Sequence, residues 1–523
     1  RAPQLPRGTR CPPGKAIYPS PPIDGAVRLF RRVRGWRPGA VYRWSRQSTR
    51  NLAVVLVAAI LLFSAVGYGV SSWSASSYRD VQHIGFDAER VMAIENQLTS
   101  WPTRHTGTIY ELETAEYIAS EFRAAGLKNV EIEAYPQVEY EVRGASLQLI
   151  YYTNGPLGML PHPARDPVTF EHKVDFVVQG FSGSRDQGTG PTAFQNDLEY
   201  VTIEGNGTEI SHYSGAEGRA CILETFDGVR NSHIYDKAHE AGVTALILHN
   251  TIIHANIGYV PISKSSPQPE DWPDPDYPDI PFIMVSKDAG DRIRAAQNAK
   301  LRLHVDVDIG ERDVHVVVGE VPGQGDTDEF VVIGAHHDSV YVNEGAVDNG
   351  SGTTAVIELA HQMAEAGVER TVRFVTYGGE EDGLFGSLSY VEAHQDELGR
   401  DCVACLNLDM SHVNLQRGNR GYVTPDREDR FGVFEAIIEQ INDDRPDLER
   451  RFDYRISLME HPGEIGSDSM PYALLGIETI NFWGSGSWEY HTYMDDISHF
   501  MPEGLEMAVL IAGAYALWLA ENG

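Results

Sequence analysis

The chain has 523 residues, of which 42% are hydrophobic and 22% are charged, and its formal net charge is −33. These fractions exclude a wholly disordered chain and a polytopic membrane protein, and the length exceeds that of a single small module. The charge is uneven, because residues 1–50 contain twelve Lys and Arg but one Asp, so the remainder carries −44. A surface this acidic repels phosphate backbones, and we therefore expect no nucleic-acid partner.

A long apolar segment follows this basic arm. Residues 52–70 are apolar or small, and no charged residue occurs between Arg50 and Arg79. A helix of this length can cross about 30 Å of hydrocarbon. We therefore expect a single transmembrane anchor over residues 51–72. The positive-inside rule places residues 1–50 in the cytoplasm and the rest of the chain outside it. The alternative is a cleaved secretory signal, for which the small residues after the apolar segment offer a cleavage site.

The remaining chain predicts an α/β fold. Apolar residues recur at helical spacing from Arg90 to Leu127, and residues 129–134 alternate like a strand. After a segment of strand-like runs, largely apolar runs alternate with helical segments, which is the pattern of a mostly parallel, doubly wound sheet. Residues 508–520 predict a buried terminal helix. The predicted parts are a basic arm over 1–50, an anchor over 51–72, an α/β domain over 87–165 and 311–523, and a β-rich insertion over 166–310.

Potential metal ligands stand where three apolar runs end. The first run leads into GAHHDS at residues 334–339, the second into GGEEDG at residues 378–383, and the third into Asp409. Between the first two, the turn-forming sequence GAVDNGSG carries Asp348 toward a helix, and His491 lies near the C-terminus. Because ligands of parallel sheets gather at the carboxyl ends of the strands, we expect these side chains to lie close together.

The chemistry of these side chains favours a catalytic metal centre. Imidazoles and carboxylates without a thiolate suit zinc or a similar divalent ion at an open site. Two imidazoles and three carboxylates can serve two ions if one carboxylate bridges them, and two ions about 3.5–4 Å apart can polarise a carbonyl together. Glu380 and Glu381 are neighbours, so in an extended segment one can bind metal while the other faces a bound water as a base.

Five motifs occur in a fixed order, namely GAHHDS, GAVDNGSG, GGEEDGLFGS, LNLDMS and YHT. Together they resemble the co-catalytic di-zinc peptidase family that includes bacterial leucyl-type aminopeptidases and glutamate carboxypeptidase. The resemblance spans residues 87–523. Within residues 166–310, the order GRACIL, KAHEAGVTALILHN and IPFIMVSKDAG resembles the protease-associated domain, a small β-rich module inserted in several peptidases. The resemblance implies an exopeptidase. Combined with the anchor predicted from the apolar segment, it leads us to expect hydrolysis of peptides outside the cytoplasm.

The resemblance also implies two Zn²⁺ ions and their ligands. His336 and Asp409 would hold one ion. Glu381 and His491 would hold the other, and Asp348 would bridge the two.

The resemblance assigns catalytic roles as well. Glu380 would be the general base and proton shuttle. Asp338 would fix the tautomer of His336, and Tyr490 would donate to the developing oxyanion. The family pattern further implies a cis peptide bond at Asp348-Asn349.

The end of the peptide that is attacked is not given by these motifs. The charge of −44 beyond the arm concentrates cationic groups, so a free α-amino group is favoured over a terminal carboxylate, which would need an Arg or Lys pocket. An aminopeptidase is therefore predicted. A carboxypeptidase of the glutamate carboxypeptidase type, a single-zinc glutaminyl cyclase and a non-catalytic receptor-like ectodomain are the alternatives. The receptor-like relatives lose metal ligands that this chain keeps. Asp382 is predicted to be a solvated turn acid, and the oligomeric state stays open.

Overall fold

The computed structural model describes residues 84–153, 162–163, 165–186, 196–226, 228–252, 259–268, 279–485 and 489–522. The predicted cytoplasmic arm (residues 1–50) and transmembrane anchor (residues 51–72) lie outside these ranges. Within the ranges, no helix has both the length and the apolar character needed to cross a membrane.

Helices and strands alternate along most of the described chain. The α-helices are α1 (Ala88–Leu98), α2 (Ile109–Ala125), α3 (Asn231–Glu240), α4 (Lys287–Ala295), α5 (Ser351–Ala366), α6 (Phe385–Ala393), α7 (Gln395–Asp401), α8 (Phe431–Asp444), α9 (Pro446–Arg451), α10 (Met470–Leu474) and α11 (Glu506–Asn522). The strands are β1 (Lys128–Thr153), β2 (His162–Pro163), β3 (Val168–Phe170), β4 (Phe176–Val178), β5 (Tyr200–Thr202), β6 (Ala220–Glu224), β7 (Ala245–His249), β8 (Phe282–Val285), β9 (Ala299–Val321), β10 (Phe330–His336), β11 (Thr371–Tyr377), β12 (Cys402–Leu408), β13 (Arg420–Pro425), β14 (Asp453–Ile456) and β15 (Glu478–Gly484).

The opening helices form where the apolar spacing predicts them. Asp87 caps α1 by accepting two backbone N–H groups of its first turn at 3.0 and 3.1 Å. Val91, Ile94 and Leu98 then form one buried face of the helix. Helix α2 ends at Gly126, whose φ of 93° is the left-handed conformation that glycine adopts readily.

The large sheet has the strand order β14-β13-β15-β12-β10-β11-β9-β1-β2, and β3 also pairs with β1. Its centre, β15-β12-β10-β11, is parallel. The prediction of a mostly parallel sheet is wrong on both sides of this centre. On one side β9, β1, β2 and β3 pair antiparallel, and on the other side β13 pairs antiparallel with β15. The sheet is therefore mixed.

A long two-stranded ribbon explains the antiparallel side of the sheet. Strands β1 and β9 pair over almost their whole lengths, with Lys128 opposite Glu320 at one end and Tyr151 opposite Ala299 at the other. The chain leaves the large sheet along β1 and returns beside it along β9 in the opposite direction. The residues between them form an insertion, which we call the inserted segment (residues 154–298).

The inserted segment builds a second sheet. Its five strands have the order β4-β8-β7-β6-β5, in which β5 to β8 are parallel and β4 is antiparallel. The predicted strands near residues 220–223, 243–248 and 280–286 correspond to β6, β7 and β8. Buried residues of this sheet pack with the outer half of the ribbon in one apolar core. The assignment of residues 166–310 to a protease-associated domain stays a prediction.

The terminal helix α11 is buried against the large sheet, which confirms the sequence prediction for residues 508–520. Its Tyr515 hydroxyl donates to Glu478 at 2.6 Å. Arg430 donates two further hydrogen bonds to the same carboxylate, at 2.8 and 2.7 Å. The carboxylate at the start of β15 is therefore paired although it is buried.

Candidate active site

The carboxyl ends of the four parallel strands meet at one edge of the large sheet, and the predicted ligands lie there. His336 is the last residue of β10, Glu380 and Glu381 follow β11, and Asp409 follows β12. His491 lies in the segment after β15. This edge is the position at which an open α/β sheet binds its ligands.

The side chains form two groups that share one carboxylate. In the first group, Nε2 of His336 lies 3.4 Å from Oδ1 of Asp348 and 3.6 Å from Oδ1 of Asp409. In the second, Nε2 of His491 lies 3.2 Å from Oδ2 of Asp348 and 2.7 Å from Oε2 of Glu381. Within each group, one ligand atom of each residue lies within 4.8 Å of the others. The structure thus brings all five predicted ligands together, with Asp348 between the two groups.

The donor set fits two divalent cations. Oδ2 of Asp348, Oε1 of Glu381 and Oδ1 of Asp409 are buried and accept no hydrogen bond from any described residue. Buried carboxylate oxygens without donors are unfavourable unless a cation neutralises them. Nitrogen and oxygen donors without a thiolate suit zinc. Since each group holds one imidazole and the groups share a carboxylate, one ion per group would neutralise the buried oxygens that lack donors.

The pKa shifts of the side chains at the site also favour a bound cation. Burial raises the pKa of Glu380 well above its ordinary value, and the nearby Asp409 and Glu381 raise it further. Burial also raises the pKa of Glu381 and brings that of Asp468 to about 7. Burial alone would lower the pKa of His336, but the surrounding carboxylates raise it well above its ordinary value. The protein thus concentrates more negative charge here than its own cationic groups offset.

Backbone hydrogen bonds hold the bridging carboxylate in place. Asp495 accepts from the N–H of Val347 at 2.8 Å and from that of Asp348 at 3.0 Å. The Asp348-Asn349 peptide bond is cis, as the resemblance implied. A Cβ at Gly352 would lie 2.0 Å from the carbonyl oxygen of Leu408, so glycine lets the start of α5 approach the end of β12.

Asp338 contacts both the predicted ligand His336 and the turn that carries Glu380 and Glu381. Its Oδ1 lies 3.3 Å from Nδ1 of His336, which leaves Nε2 facing the other ligands. Its two oxygens also accept from the backbone N–H groups of Glu380 and Glu381, at 3.3 and 3.2 Å. The hydroxyl of Thr106 donates a further bond at 3.1 Å. One buried carboxylate thereby orients an imidazole and the turn that carries both glutamates.

Glu380 and Tyr490 lie beside the two groups. Oε2 of Glu380 is 4.0 Å from Nε2 of His336, so this glutamate faces the first group. The Tyr490 ring stacks on the imidazole of His491 with centroids 3.7 Å apart. Neither side chain belongs to the two ligand groups, and the roles that the resemblance assigned to them stay predictions.

The inserted segment supplies groups that the sequence did not reveal. The carbonyl of Ser263 lies 2.9 Å from Nδ1 of His491, and the N–H of Ser263 donates to the His491 carbonyl at 3.0 Å. Nζ of Lys264 donates to the hydroxyl of Tyr490. Both residues lie in a loop outside the five motifs that carry the predicted ligands, and no sequence signal connects them with the site. Their role follows from tertiary structure.

The prediction that Asp382 is a solvated turn acid is wrong. Its side chain is fully buried. The Ser265 hydroxyl donates to its Oδ1, and Gln268 donates to its backbone carbonyl at 2.9 Å. The loop at residues 259–268 covers the turn after β11, so the residue that sequence places on a surface lies between two parts of the chain.

Residues 316–516 match the family model of Peptidase family M28. The chain is 28% identical over 348 residues to aminopeptidase YwaD of Bacillus subtilis, and this alignment covers 64% of the chain and 68% of that protein. It is 27% identical over 302 residues to an aminopeptidase of Pseudomonas aeruginosa, covering 57% of the chain and 52% of that protein. The chain thus spans about half the length of the second relative.

The fold is similar to that of solved peptidases. The crystal structure of BSAP, a zinc aminopeptidase from Bacillus subtilis, superposes with a TM-score of 0.62 at 22% identity, over 83% of this chain and 96% of that one. This likeness shows the mixed α/β fold. The family match over residues 316–516 and the two groups of potential metal ligands at the sheet edge lead to one conclusion: this part of the chain is similar to Peptidase family M28, and the chain is a metallopeptidase.

Proposed function

We propose that the protein is a zinc aminopeptidase that removes amino-terminal residues from peptides, with one zinc ion in each of the two ligand groups. The observation that carries this proposal is the sharing of Asp348 between His336 and His491, at 3.4 and 3.2 Å. A bridging carboxylate places two ions next to each other, and such pairs act together on one carbonyl. The aminopeptidase relatives from B. subtilis and P. aeruginosa support the reaction type.

In this proposal Glu380 moves the proton. Zinc held by the two ligand groups would supply Lewis-acid chemistry, namely polarisation of the scissile carbonyl and a lowered pKa of the attacking water. Glu380 accepts a proton from the attacking water and delivers it to the nitrogen of the leaving amine. Its backbone N–H is held by Asp338 at 3.3 Å, so its carboxylate keeps a fixed position beside the first ligand group. Such preorganisation lowers the entropic part of the barrier.

Tyr490 and Asp338 have supporting roles in this proposal. The Tyr490 hydroxyl donates a hydrogen bond to the carbonyl oxygen as negative charge develops on it. Asp338 keeps the imidazole of His336 in the orientation in which Nε2 faces the ligand group. The stacking of Tyr490 on His491 fixes the phenol ring next to the second ligand group.

The preference for the amino end rests on charge. Beyond residue 50 the chain carries −44, and a cleft in this field attracts an α-ammonium group and repels a terminal carboxylate. Free-amino dipeptides and aminoacyl anilides should be hydrolysed, and N-acetylated peptides should not. Selectivity should weaken as salt screens the field. Parallel assays of an N-acetylated and a C-amidated peptide test this, and cleavage of the acetylated peptide alone would refute it.

One observation favours a carboxypeptidase as the second candidate. Capture of a terminal carboxylate needs a cation, and Lys264 lies at the site with its Nζ on the Tyr490 hydroxyl. Because Lys264 already has this partner and lies among several acids, we rank the aminopeptidase first. In the same paired assay, a carboxypeptidase would cleave the acetylated peptide and spare the amidated one.

We also propose, from sequence, that residues 51–72 anchor the enzyme in a membrane with its catalytic part outside the cytoplasm. The basic arm before the apolar segment supports this orientation. A topology reporter fused at Arg90 should be accessible from outside, and one fused within residues 1–50 should not. Recovery of a soluble mature form that begins near Ser77 would instead assign a cleaved signal.

A further inference from the structure

We propose that Lys264, which the inserted segment carries into the site, is a positioning residue that holds Tyr490 and strengthens its hydroxyl as a donor to the substrate. This inference rests on the proposed peptidase function. It is carried by the contacts of the loop at residues 259–268, which we call the crossing loop.

The crossing loop is fastened to the catalytic edge at several points. Ser263 forms two hydrogen bonds with His491, one with the imidazole at 2.9 Å and one with the backbone at 3.0 Å. On the far side of Lys264, Ser265 donates to the buried Asp382. The Lys264 carbonyl accepts from the N–H of Gly180 at 2.8 Å, within the inserted segment. The backbone of Lys264 is therefore fixed relative to both parts of the chain.

The side chain of Lys264 meets Tyr490 in two ways. Its Nζ donates a hydrogen bond to the phenolic oxygen and lies 4.2 Å from the centroid of the ring. The same ring stacks on the imidazole of His491, with centroids 3.7 Å apart. The phenol thus contacts both a cation and a predicted metal ligand, which restricts the position of its oxygen.

The surroundings of Lys264 suit a functional charge better than a structural one. The acidic groups that stabilise its charge are Glu381, Asp348 and Glu380, all of them in the catalytic machinery. Its one direct side-chain hydrogen-bond partner in the described structure is Tyr490. Removing an ammonium group from water is unfavourable. Here the buried ammonium of Lys264 donates its hydrogen bond to the phenol of Tyr490.

The chemical consequence follows from hydrogen bonding. A phenolic oxygen that accepts from an ammonium loses electron density, and its own O–H becomes a stronger donor. That O–H is the group proposed to stabilise negative charge on the scissile carbonyl oxygen. No proton leaves Tyr490 in this scheme and no covalent bond is made to it. Lys264 acts only through Tyr490, and it belongs to the inserted segment rather than to the sheet that carries the ligands.

The test is a double-substitution cycle with Lys264→Met, Tyr490→Phe and the combined variant, assayed on leucine 4-nitroanilide, Leu-Gly and Leu-Gly amide. Tyr490→Phe should lower kcat by about 10²–10³-fold, the effect of losing one oxyanion donor. Lys264→Met should lower kcat about ten-fold or more on all three substrates with little change in KM. The combined variant should match Tyr490→Phe within about two-fold. Lys264→Arg, which keeps a cationic donor, should recover part of kcat.

The matched control is Lys173→Met. Lys173 also lies in the inserted segment, donates to the Tyr341 carbonyl at 3.0 Å and lies 5.8 Å from the Tyr341 ring centroid. Lys173 contacts no residue of the proposed catalytic scheme, so the kcat of the Lys173→Met variant should equal that of the wild type. Metal content should stay the same in every variant.

Three outcomes would overturn the inference. Multiplicative losses in the combined variant would mean that Lys264 acts independently of Tyr490. An increase in KM confined to Leu-Gly, with Leu-Gly amide unaffected, would make Lys264 a carboxylate-binding residue. An unchanged kcat in Lys264→Met would leave it without a role in turnover.

A binding measurement separates this inference from the proposed function. Calorimetry with 1-amino-3-methylbutylphosphonic acid, a tetrahedral analogue, needs no turnover. Its affinity should fall at least about ten-fold in Lys264→Met and not fall further when Tyr490→Phe is added. If the wild-type protein binds the analogue but hydrolyses no free-amino substrate, the proposed function fails, while this binding cycle still decides the link between Lys264 and Tyr490.

Discussion

Glu380 and Glu381 are adjacent in sequence, yet their carboxylates face different partners. Oε2 of Glu381 lies 2.7 Å from Nε2 of His491, whereas Oε2 of Glu380 lies 4.0 Å from Nε2 of His336. Their backbone N–H groups both bind Asp338, so the two side chains leave one fixed turn in different directions. A ligand and a base can therefore occupy consecutive positions.

This difference predicts opposite effects of the same chemical change. Glu380→Gln should keep both metal ions while kcat falls by about 10²–10⁴-fold, because only the proton acceptor is lost. Glu381→Gln should lose metal, because an amide is a weaker ligand than a carboxylate. Elemental analysis combined with kcat measures both effects, and Glu392→Gln, an exposed change on α6, is the control. If Glu380→Gln lost metal while Glu381→Gln retained it, the two roles would be exchanged.

A second residue-scale prediction concerns Glu95, which is fully buried on α1. Burial raises its pKa from 4.5 to about 8, although the Thr354 hydroxyl donates to it at 2.7 Å. The folded protein thus keeps Glu95 protonated where the unfolded chain ionises it. The free energy of unfolding should therefore decrease as pH rises from about 4.5 to 8, by about 1.4 kcal/mol per pH unit from this group.

Glu95→Gln removes that dependence, because glutamine cannot ionise and can still accept from Thr354. Denaturant unfolding at several pH values should show the variant gaining stability relative to the wild type as pH rises through this range. Glu89→Gln is an exposed change on the same helix. The difference in free energy of unfolding between this variant and the wild type should not change with pH. A constant difference between Glu95→Gln and the wild type would mean that Glu95 ionises in the fold as it does in the unfolded chain.

Among the elements, α11 should contribute strongly to stability. Ile511 is fully buried in the core that α11 shares with the large sheet. Ile511→Ala should lower the free energy of unfolding by about 2–5 kcal/mol, since it removes buried methylene groups and leaves a cavity. Thermal unfolding of this variant beside Glu503→Ala, an exposed change just before the helix, measures the effect. An equal loss in both variants would show that burial in α11 is not its cause.

The elements also show how far sequence reasoning reached. Helices α1 and α2, the parallel strands β10, β11 and β12, and α11 follow from apolar periodicity, because each buries a continuous stripe or face. The convergence of the ligands also followed, since strand ends share an edge. The antiparallel partners of the sheet did not, because the direction of a strand depends on the path of the chain between strands. The sequence also did not predict the contacts that Lys264, Ser263 and Asp495 make at the site. These contacts depend on how distant segments of the chain pack together.

At the scale of the whole molecule, the metal count is the sharpest test. Two sites sharing Asp348 predict close to two zinc or replacement ions per chain. A chelator should abolish activity and lower Tm, because ligands that bind only the folded state stabilise it, and added zinc should restore both. One ion in a fully active preparation would contradict the two-ion assignment and favour the single-zinc alternative.

The ribbon of β1 and β9 has a consequence for how this architecture diversifies. It places the two ends of the inserted segment side by side, with Tyr151 opposite Ala299. A loop closed in this way costs entropy only with the logarithm of its length, about 0.6 kcal/mol per doubling. The parent sheet therefore tolerates inserts of very different sizes at this junction. All five predicted metal ligands lie outside the insert, so a change in the inserted module leaves the ligands themselves in the chain while it replaces Lys264 and the Ser263 carbonyl that contacts His491.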